Sequence, residues 1–254
     1  MKIIVCGAFG RLGAAVCKVA AETLAEVVAG TDVAGSDSES AAFPVYTEIS
    51  LCRENADVVI CCVPPTASAE ISAILEYSAT RKIPLVLCTT GMSPEVEAAI
   101  AKATESVAVL RSANMSLGIN LLSGLLRRVA TLLPGFDIEI IEKHHNQKID
   151  APSGTALALA NAINGAFEES FEYVYDRSGE RKKRGASEIG IHTLRGGTIV
   201  GEHSVIFAGC DEVIEFNHQA LSKEVFAAGA LKAARFIKGK PPGFYSMQNI
   251  IDGV

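Results

Sequence analysis

Three side chains that could donate protons or bind anions lie close together in the chain: His144, His145 and Lys148. The step Ser153-Gly154-Thr155 follows them and opens an alanine-rich run, 156–163, that predicts a helix. Unpaired N–H groups at a helix start, together with the positive end of the helix dipole, suit a carboxylate or phosphate. Histidine is the usual side chain for moving a proton near pH 7. The segment 142–155 therefore predicts an anion-binding pocket with a titratable proton donor.

The residues before this segment suggest that the two histidines have different roles. Residues 138–141 read as a β-strand, and neighbouring side chains of an extended chain leave it on opposite faces. We therefore expect one histidine to act in the pocket and the other to support it.

Each feature also has a plainer interpretation. Two adjacent histidines could belong to a solvated loop, and Ser-Gly-Thr could be an ordinary helix cap. A metal site would need further His or Cys ligands at matching spacing, and the sequence has no C-x2-C or H-x3-H pattern. No metal site is therefore predicted.

The composition is typical of a soluble globular protein, and the length is sufficient for two modest domains. The chain has 254 residues, 49% of them hydrophobic and 20% charged, and no apolar run approaches the ~18 residues of a membrane span. The net charge of −6 argues against nucleic-acid binding. Seven scattered cysteines, several inside apolar runs, indicate the reducing cytoplasm, and we expect no signal peptide because the first residues run directly into a strand.

The first third of the chain has the pattern of a dinucleotide-binding fold. A strand at 2–6 leads into Gly7-Ala8-Phe9-Gly10-Arg11-Leu12-Gly13 and then into helix formers. Glycines between a strand and a helix allow the backbone to approach a pyrophosphate closely. The spacing here is G-x-x-G-x-x-G rather than the commoner G-x-G-x-x-G.

An acidic residue stands where such a fold binds the adenosine ribose. Asp32 ends the second predicted strand, 26–31, 22 positions after Gly10. Val33 and Ala34 follow it, so no adjacent base would neutralise a 2'-phosphate. NADH is therefore favoured over NADPH, although Arg11 or a distant lysine could still accommodate the phosphate.

The later strands end in polar loops. Apolar runs at 57–63, 85–88 and 107–110 alternate with helical stretches, which predicts a Rossmann-like doubly wound parallel sheet. Ligands of such sheets bind at the carboxyl ends of the strands, so Thr89, Thr90 and Asn114 are candidates for contacts to the nicotinamide half. The same residue types also serve plain turns.

The alternation of apolar strands and helices changes after about residue 116. A long helix at 117–133 precedes the strand 138–141, and β-segments at 189–194, 198–207 and 212–218 predict a meander-like α+β unit. A last helix is predicted at 223–237.

With these motifs assembled, the chain resembles the 4-hydroxy-tetrahydrodipicolinate reductase (dihydrodipicolinate reductase) family. The most specific part, residues 142–156, is similar to the family signature E-x-H-H-x-x-K-x-D-A-P-S-G-T-A. The other motifs fall in family order: Gly7 to Gly13, Thr89-Thr90-Gly91, Ala113-Asn114-Met115-Ser116, and Arg195 to His203. The resemblance implies NAD(P)H-dependent reduction of a cyclic dicarboxylate in lysine and diaminopimelate biosynthesis, by a homotetramer.

The resemblance also assigns domains and residues. A dinucleotide-binding domain, 1–116 plus 221–254, would surround a substrate-binding and oligomerisation domain, 117–220. His144 and Lys148 would be catalytic, and His145, Gly154 and Thr155 would bind substrate. The cofactor would lie on Gly7, Ala8, Phe9, Gly10, Arg11, Leu12, Asp32, Cys88, Thr89, Thr90, Ser112, Ala113, Asn114 and Met115.

The chain departs from the family pattern at a few positions, and two alternatives stay open. Cys88 stands where the family usually has glycine, Val63-Pro64 replaces a common Thr-Arg pair, and Lys223 replaces an arginine of some relatives. An aspartate or homoserine dehydrogenase would share the glycine turn and Asp32, but not the D-A-P-S-G-T loop. A catalytically silent NAD-binding regulator is the non-enzyme alternative.

Overall fold

A computed structural model of the chain describes residues 1–33, 41–168, 170–179 and 181–253. The chain divides into two compact units, Met1–Leu117 with Lys223–Val254, and Gly118–Ser222. The first unit is therefore built from two separate stretches of chain, and the second unit is inserted between them.

The first unit is a seven-stranded sheet in which every pairing is parallel. Its strands are β1 (Lys2–Cys6), β2 (Glu26–Thr31), β3 (Val45–Tyr46), β4 (Val58–Cys61), β5 (Leu85–Leu87), β6 (Ala108–Arg111) and β12 (Gly243–Tyr245). The order is β12-β6-β5-β4-β1-β2-β3. The chain reverses its winding direction between β1 and β4, which is where open α/β sheets bind their ligands. The prediction of a Rossmann-like sheet is confirmed.

Helices cover both faces of this sheet because its strands are apolar on both faces. They are α1 (Arg11–Ala21), α2 (Ser68–Arg81), α3 (Pro94–Thr104), α6 (Glu224–Ile237) and α7 (Met247–Asp252), with a 3₁₀ turn at Ile49–Leu51. Val58 to Cys61 of β4 are wholly buried, as expected of a strand between two helical layers. Gly229 of α6 lies so close to the backbone at Met115 that a Cβ would be 1.8 Å from the carbonyl oxygen. Helix α6 thus packs directly against the segment that follows β6.

The second unit is a mixed five-stranded sheet with two helices. The helices are α4 (Leu117–Leu132) and α5 (Gly154–Asn164), and the strands are β7 (Asp137–His144), β8 (Glu172–Val174), β9 (Glu188–Arg195), β10 (Gly201–Ala208) and β11 (Val213–Ala220). The order is β11-β10-β7-β9-β8. Buried apolar side chains of both helices and of the central strands form its core, including Leu126, Ile140, Leu159 and Phe207. In the ranges described, no helix combines the length and hydropathy needed to cross a membrane.

The predicted meander is wrong for β9 and β10, because β7 lies between them. Strand β7 pairs parallel with β9 and antiparallel with β10. The connection 196–200 must therefore span two strand spacings, about 10 Å, which five residues do readily. The amide of Gly196 donates to the carbonyl oxygen of His144 at 2.9 Å, and that of Asn146 donates to Gly197 at 3.2 Å. This connection therefore crosses the end of β7 at His144.

Candidate active site

Glycines shape the loop between β1 and α1. Gly7 has φ of +75°, a left-handed conformation that favours glycine. A Cβ at Gly13 would lie 2.0 Å from the carbonyl oxygen of Gly7, so only glycine fits there. Gly10 is the N-cap of α1 and supplies no side chain to it. The helix therefore presents backbone N–H groups and its positive dipole end at a turn where glycines permit close approach, which fits a pyrophosphate.

Asp32 stands beside this loop. Its Oδ2 accepts a hydrogen bond from the amide of Phe9 at 3.0 Å, and its own amide donates to Tyr46 O at 3.0 Å. The carboxylate is thus placed at the end of β2 next to the glycine turn, where Rossmann folds hold a ribose. Val33 follows it, whereas Ala34, the second residue used to argue for NADH, lies outside the described residues.

A cavity of about 170 Å³ opens at the carboxyl ends of β5 and β6. Phe226 of α6 forms part of its wall. The other lining residues are all predicted cofactor ligands: Leu12, Cys88, Thr90, Ser112, Ala113, Asn114 and Met115. The fold thus brings the first turn of α1 together with the loops that follow β5 and β6.

Thr89 and Cys88 differ in how their side chains are used. The hydroxyl of Thr89 donates to Val63 O at 2.6 Å and is buried, so it braces β4 against β5. The thiol of Cys88 is hydrogen-bonded to Cys62, and this bond together with burial raises the pKa of Cys62 well above its ordinary value. Cys62 is therefore a thiol at neutral pH.

In the second unit, β7 continues through His144, three residues beyond the predicted strand end at Ile141. The strand extends because it has a partner on each side, with Lys143 opposite Glu202 of β10 and His144 opposite Arg195 of β9. Alternation then places Glu142 and His144 on the same face, and both are buried. His145, the first residue past the strand, is half-buried.

Glu142 is the centre of a buried polar cluster. Its Oε2 lies 2.5 Å from Nδ1 of His144, and it accepts a two-pronged pair of hydrogen bonds from Arg195, each 2.8 Å. The amide of Ser153 and the hydroxyl of Thr193 donate to Oε1, each at 3.0 Å. Burial alone would raise the pKa of this carboxyl, but the hydrogen bonds from His144, Arg195, Ser153 and Thr193 lower it to about 2. Glu142 is therefore an anion at neutral pH.

His203 of β10 is a second buried histidine. Its ring meets the ring of His144 edge-on, with centroids 5.2 Å apart, and its Nε2 lies 3.1 Å from Oγ of Ser153. Burial, followed by the proximity of His144, lowers the pKa of His203 to about 4, so it is neutral at pH 7. Gly201 precedes it on the same face, and a Cβ there would lie 3.1 Å from Nε2 of His144.

The loop after β7 brings Lys148 to this cluster. Nζ of Lys148 lies 2.8 Å from Oδ1 of Asp150, and its charge contributes to the lowered pKa of His203. Arg195 donates to the carbonyl oxygen of Asp150 at 2.6 Å, which ties the loop to the Glu142 cluster. The predicted groups of the segment 142–155 are thus gathered within one unit.

The start of α5 closes the segment. Ser153 is the N-cap, and its Oγ accepts from the amide of Ala156 at 3.1 Å, so the plain interpretation as a helix cap is correct for this residue. Gly154 and Thr155 form the first turn. The space where a Cβ of Gly154 would project is open.

The sequence did not assign roles to Glu142, Arg195 and His203. All three lie in motifs that carry the family resemblance, but spacing alone gave no reason to bring them together. The usable signal was strand alternation: Glu142 shares a face with His144, and Gly201 with His203. Across the described ranges, no three His, Cys, Asp or Glu side chains are grouped so that they could hold a metal ion.

Comparisons with known proteins agree with this geometry. The family model described as dihydrodipicolinate reductase, N-terminus, matches residues 1–115, and that described as dihydrodipicolinate reductase, C-terminus, matches residues 118–251. The chain belongs to the dihydrodipicolinate reductase family. The predicted resemblance is therefore confirmed, and membership of this family makes the chain an oxidoreductase.

The relatives span almost the whole chain. A 4-hydroxy-tetrahydrodipicolinate reductase of Caldanaerobacter subterraneus subsp. tengcongensis is 49% identical over 252 residues, 99% of this chain and 98% of the relative. One from Clostridium tetani is 45% identical over 254 residues, 99% of this chain and 97% of the relative.

Two solved structures with similar folds differ in how closely they match this chain. A dipicolinate-bound dihydrodipicolinate reductase from Paenisporosarcina sp. TG-14 superposes with a TM-score of 0.81 at 20% identity, covering 98% of this chain and 99% of that one. An aspartate dehydrogenase from Thermotoga maritima reaches only 0.50 at 11% identity, covering 94% and 97%. The aspartate dehydrogenase thus shares the general fold, whereas the family models and the near relatives specify the reductases.

Proposed function

We propose that the chain catalyses the NAD(P)H-dependent reduction of 4-hydroxy-2,3,4,5-tetrahydrodipicolinate to 2,3,4,5-tetrahydrodipicolinate, a step of diaminopimelate and lysine biosynthesis. The observation that carries the proposal is the cluster in the second unit, where a buried His144–Glu142 pair adjoins Lys148 and the start of α5. This arrangement combines a proton donor with positive groups for a carboxylate. The names of the relatives supply the substrate.

The first unit would hold the dinucleotide. The glycine loop from Gly7 to Leu12 would take the pyrophosphate, Asp32 the ribose hydroxyls, and the cavity beneath Cys88 to Thr90 and Ser112 to Met115 the nicotinamide half. The absence of space for a Cβ at Gly13 supports this fit. When bound, the nicotinamide supplies the hydride. Because Asp32 would repel a 2'-phosphate and Val33 offers no compensating charge, NADH would be the preferred cofactor.

In the second unit, His144 would exchange a proton with the substrate. Its Nδ1 is engaged by Glu142, which leaves Nε2 as the nitrogen for this exchange. Lys148 would bind a substrate carboxylate and act as a second proton donor. His145, Gly154 and Thr155 would complete the substrate contacts, since helix N–H groups stabilise a bound carboxylate.

We further propose a cytoplasmic homotetramer. All seven cysteines are free thiols, which supports a reducing compartment. The resemblance to the family supports the tetramer, and light scattering on the purified chain tests it.

The proposed reaction is tested by an assay coupled to the upstream synthase and followed at 340 nm, first with NADH and then with NADPH. We expect turnover that depends on the synthase product. Aspartate and homoserine, offered as alternative substrates with the oxidised cofactor, should give no signal. Cofactor binding without turnover would instead support a regulator and overturn the proposal.

A further inference from the structure

The environment of Glu142 is unusual for a carboxylate. The side chain is completely buried in the middle of a sheet, and isolating such a charge from water costs several kcal/mol unless it is paired and hydrogen-bonded. Here both oxygens are satisfied, by the fork of Arg195, by Thr193 and by the amide of Ser153. Every one of these partners donates to the carboxylate. The fold thus maintains a fixed negative charge at this point.

The remaining partner of that charge is His144. An imidazole nitrogen can contact a carboxylate at 2.5 Å only by donating, so Nδ1 carries a proton. Nε2 is then the nitrogen whose proton can be exchanged. It lies over Gly201, and a Cβ at that position would be 3.1 Å away. The absent side chain at 201 therefore leaves room beside Nε2.

Arg195 connects this pair to the loop that carries Lys148. The same guanidinium that grips Glu142 also donates to the carbonyl oxygen of Asp150, whose carboxylate pairs with Lys148. The orientation of the imidazole and the position of the ammonium thus depend on one side chain.

We propose that Glu142, clamped by Arg195, is the positioning residue for His144: it fixes the ring with Nδ1 protonated and presents Nε2 for proton exchange. The inference rests on the proposed function for its catalytic meaning, but its structural content can be measured without turnover. The inference adds an anionic residue to the groups that take part in proton transfer. The sequence alone had identified only the histidines and the lysine among these groups.

The decisive variant is Glu142→Gln, which keeps the size of the side chain and removes its charge. Because the uncharged amide no longer holds the proton on Nδ1 of His144, we expect kcat to fall about tenfold. The dissociation constant for NADH should stay within about twofold, since the cofactor residues are untouched. A purely structural role would weaken folding or cofactor binding without changing which ring nitrogen of His144 carries the proton.

Other charged groups surround the pair and must be kept constant. Among the described residues these include Arg195 on β9, His203 on β10, His218 on β11, and Lys148 and Asp150 on the loop after β7. Glu142→Asp retains the charge at a greater distance. In that variant kcat should fall less than in Glu142→Gln, and the His144 ring should keep its proton on Nδ1.

Glu139→Gln is the matched control. Glu139 lies on the same strand but on the opposite face, where its Oε2 is 2.7 Å from Nε2 of His192. It therefore forms a second Glu–His pair that serves no proposed role in catalysis. Its neutralisation should leave both kcat and the pH profile unchanged.

Nitrogen-15 NMR of the histidine rings in the wild-type chain tests the geometry without substrate. We expect His144 as the Nδ1–H form when neutral, and a loss of that preference in Glu142→Gln. An Nε2–H form in the wild type would overturn the inference, as would an unchanged kcat in a folded Glu142→Gln variant. If the wild type shows no reductase turnover but the ring is Nδ1-protonated, the proposed function fails while the Glu142 assignment stands.

Discussion

The Oγ of Ser153, the N-cap of α5, lies 3.1 Å from Nε2 of His203 on β10. One hydroxyl thus serves the helix start and a buried imidazole at once, since it also accepts from the amide of Ala156. The contact links two segments that are 50 residues apart. The contact therefore ties the start of α5, where an anion is predicted to bind, to a buried side chain of the sheet.

Replacing Ser153 by alanine should destabilise the fold more than the loss of a helix cap does. We expect a decrease in the free energy of unfolding of about 2 to 3 kcal/mol, because a buried ring nitrogen and a helix N–H both lose their partner. Ser93→Ala is the control, since Ser93 caps α3 through Val96 and should cost only about 1 kcal/mol. Urea denaturation of both variants makes the comparison, and equal losses would contradict the shared role.

The lowered pKa of His203 predicts a loss of stability in mild acid. The unfolded chain takes up the proton near the ordinary value of 6.5, whereas the folded chain resists it down to about 4. The contribution is therefore complete above pH 6.5 and is lost as the pH falls to 4, about 3 kcal/mol in all. The free energy of unfolding, measured from pH 7 to 4, should decline less steeply in His203→Gln. Parallel curves for the two proteins would refute the assignment.

The role of His144 is tested by His144→Gln. We expect kcat to fall about 10²-fold or more with little change in the dissociation constant for NADH, the usual scale for losing a general acid. Stopped-flow measurement of NADH binding beside steady-state kinetics separates the two quantities. Retention of the wild-type kcat would remove His144 from the mechanism.

Gly13→Ala should disable the dinucleotide loop. A methyl group 2.0 Å from the carbonyl oxygen of Gly7 forces the turn open, so we expect a loss of about 2 kcal/mol or more in stability and weaker NADH binding. Gly179→Ala is the control, because open space surrounds that position. Thermal melts with and without NADH report both effects, and a normal cofactor-induced shift in Gly13→Ala would contradict the close approach.

Cofactor choice should respond to Asp32. In Asp32→Ser, the carboxylate that would repel a 2'-phosphate is gone, so the ratio of kcat/KM for NADPH over NADH should rise about tenfold or more. The same variant also loses the acceptor for the Phe9 amide, which lowers activity with both cofactors. The prediction therefore concerns the ratio of kcat/KM values and not the activity with either cofactor. An unchanged ratio would count against it.

The sequence predicted local features better than distant pairings. The strand at 2–6, the helix at 117–133 and the helix at 223–237 were recovered almost to the residue, because apolar runs and helical periodicity are encoded locally. The position of β7 between β9 and β10 could not be read, since adjacent segments usually pair and nothing local shows which strand takes the centre.

The same limit applies to the candidate site. His144, Lys148 and the start of α5 share one short segment, so their types and spacing were informative. The clamp of Arg195 on Glu142 joins residues 53 positions apart, and the neutrality of His203 depends on burial. Both are products of the assembled sheet rather than of any local pattern.

The insertion of the second unit within the first has a consequence for synthesis on the ribosome. Residues 118–222 emerge before α6 and β12 have been translated. The inserted sheet has all its strands by then and can close while the chain is still growing. The parallel sheet has to wait, because α6 supplies much of its core, including Ala227, Ala230, Leu231 and Ile237. The face of the nascent sheet that α6 later covers therefore stays exposed until this helix has been translated.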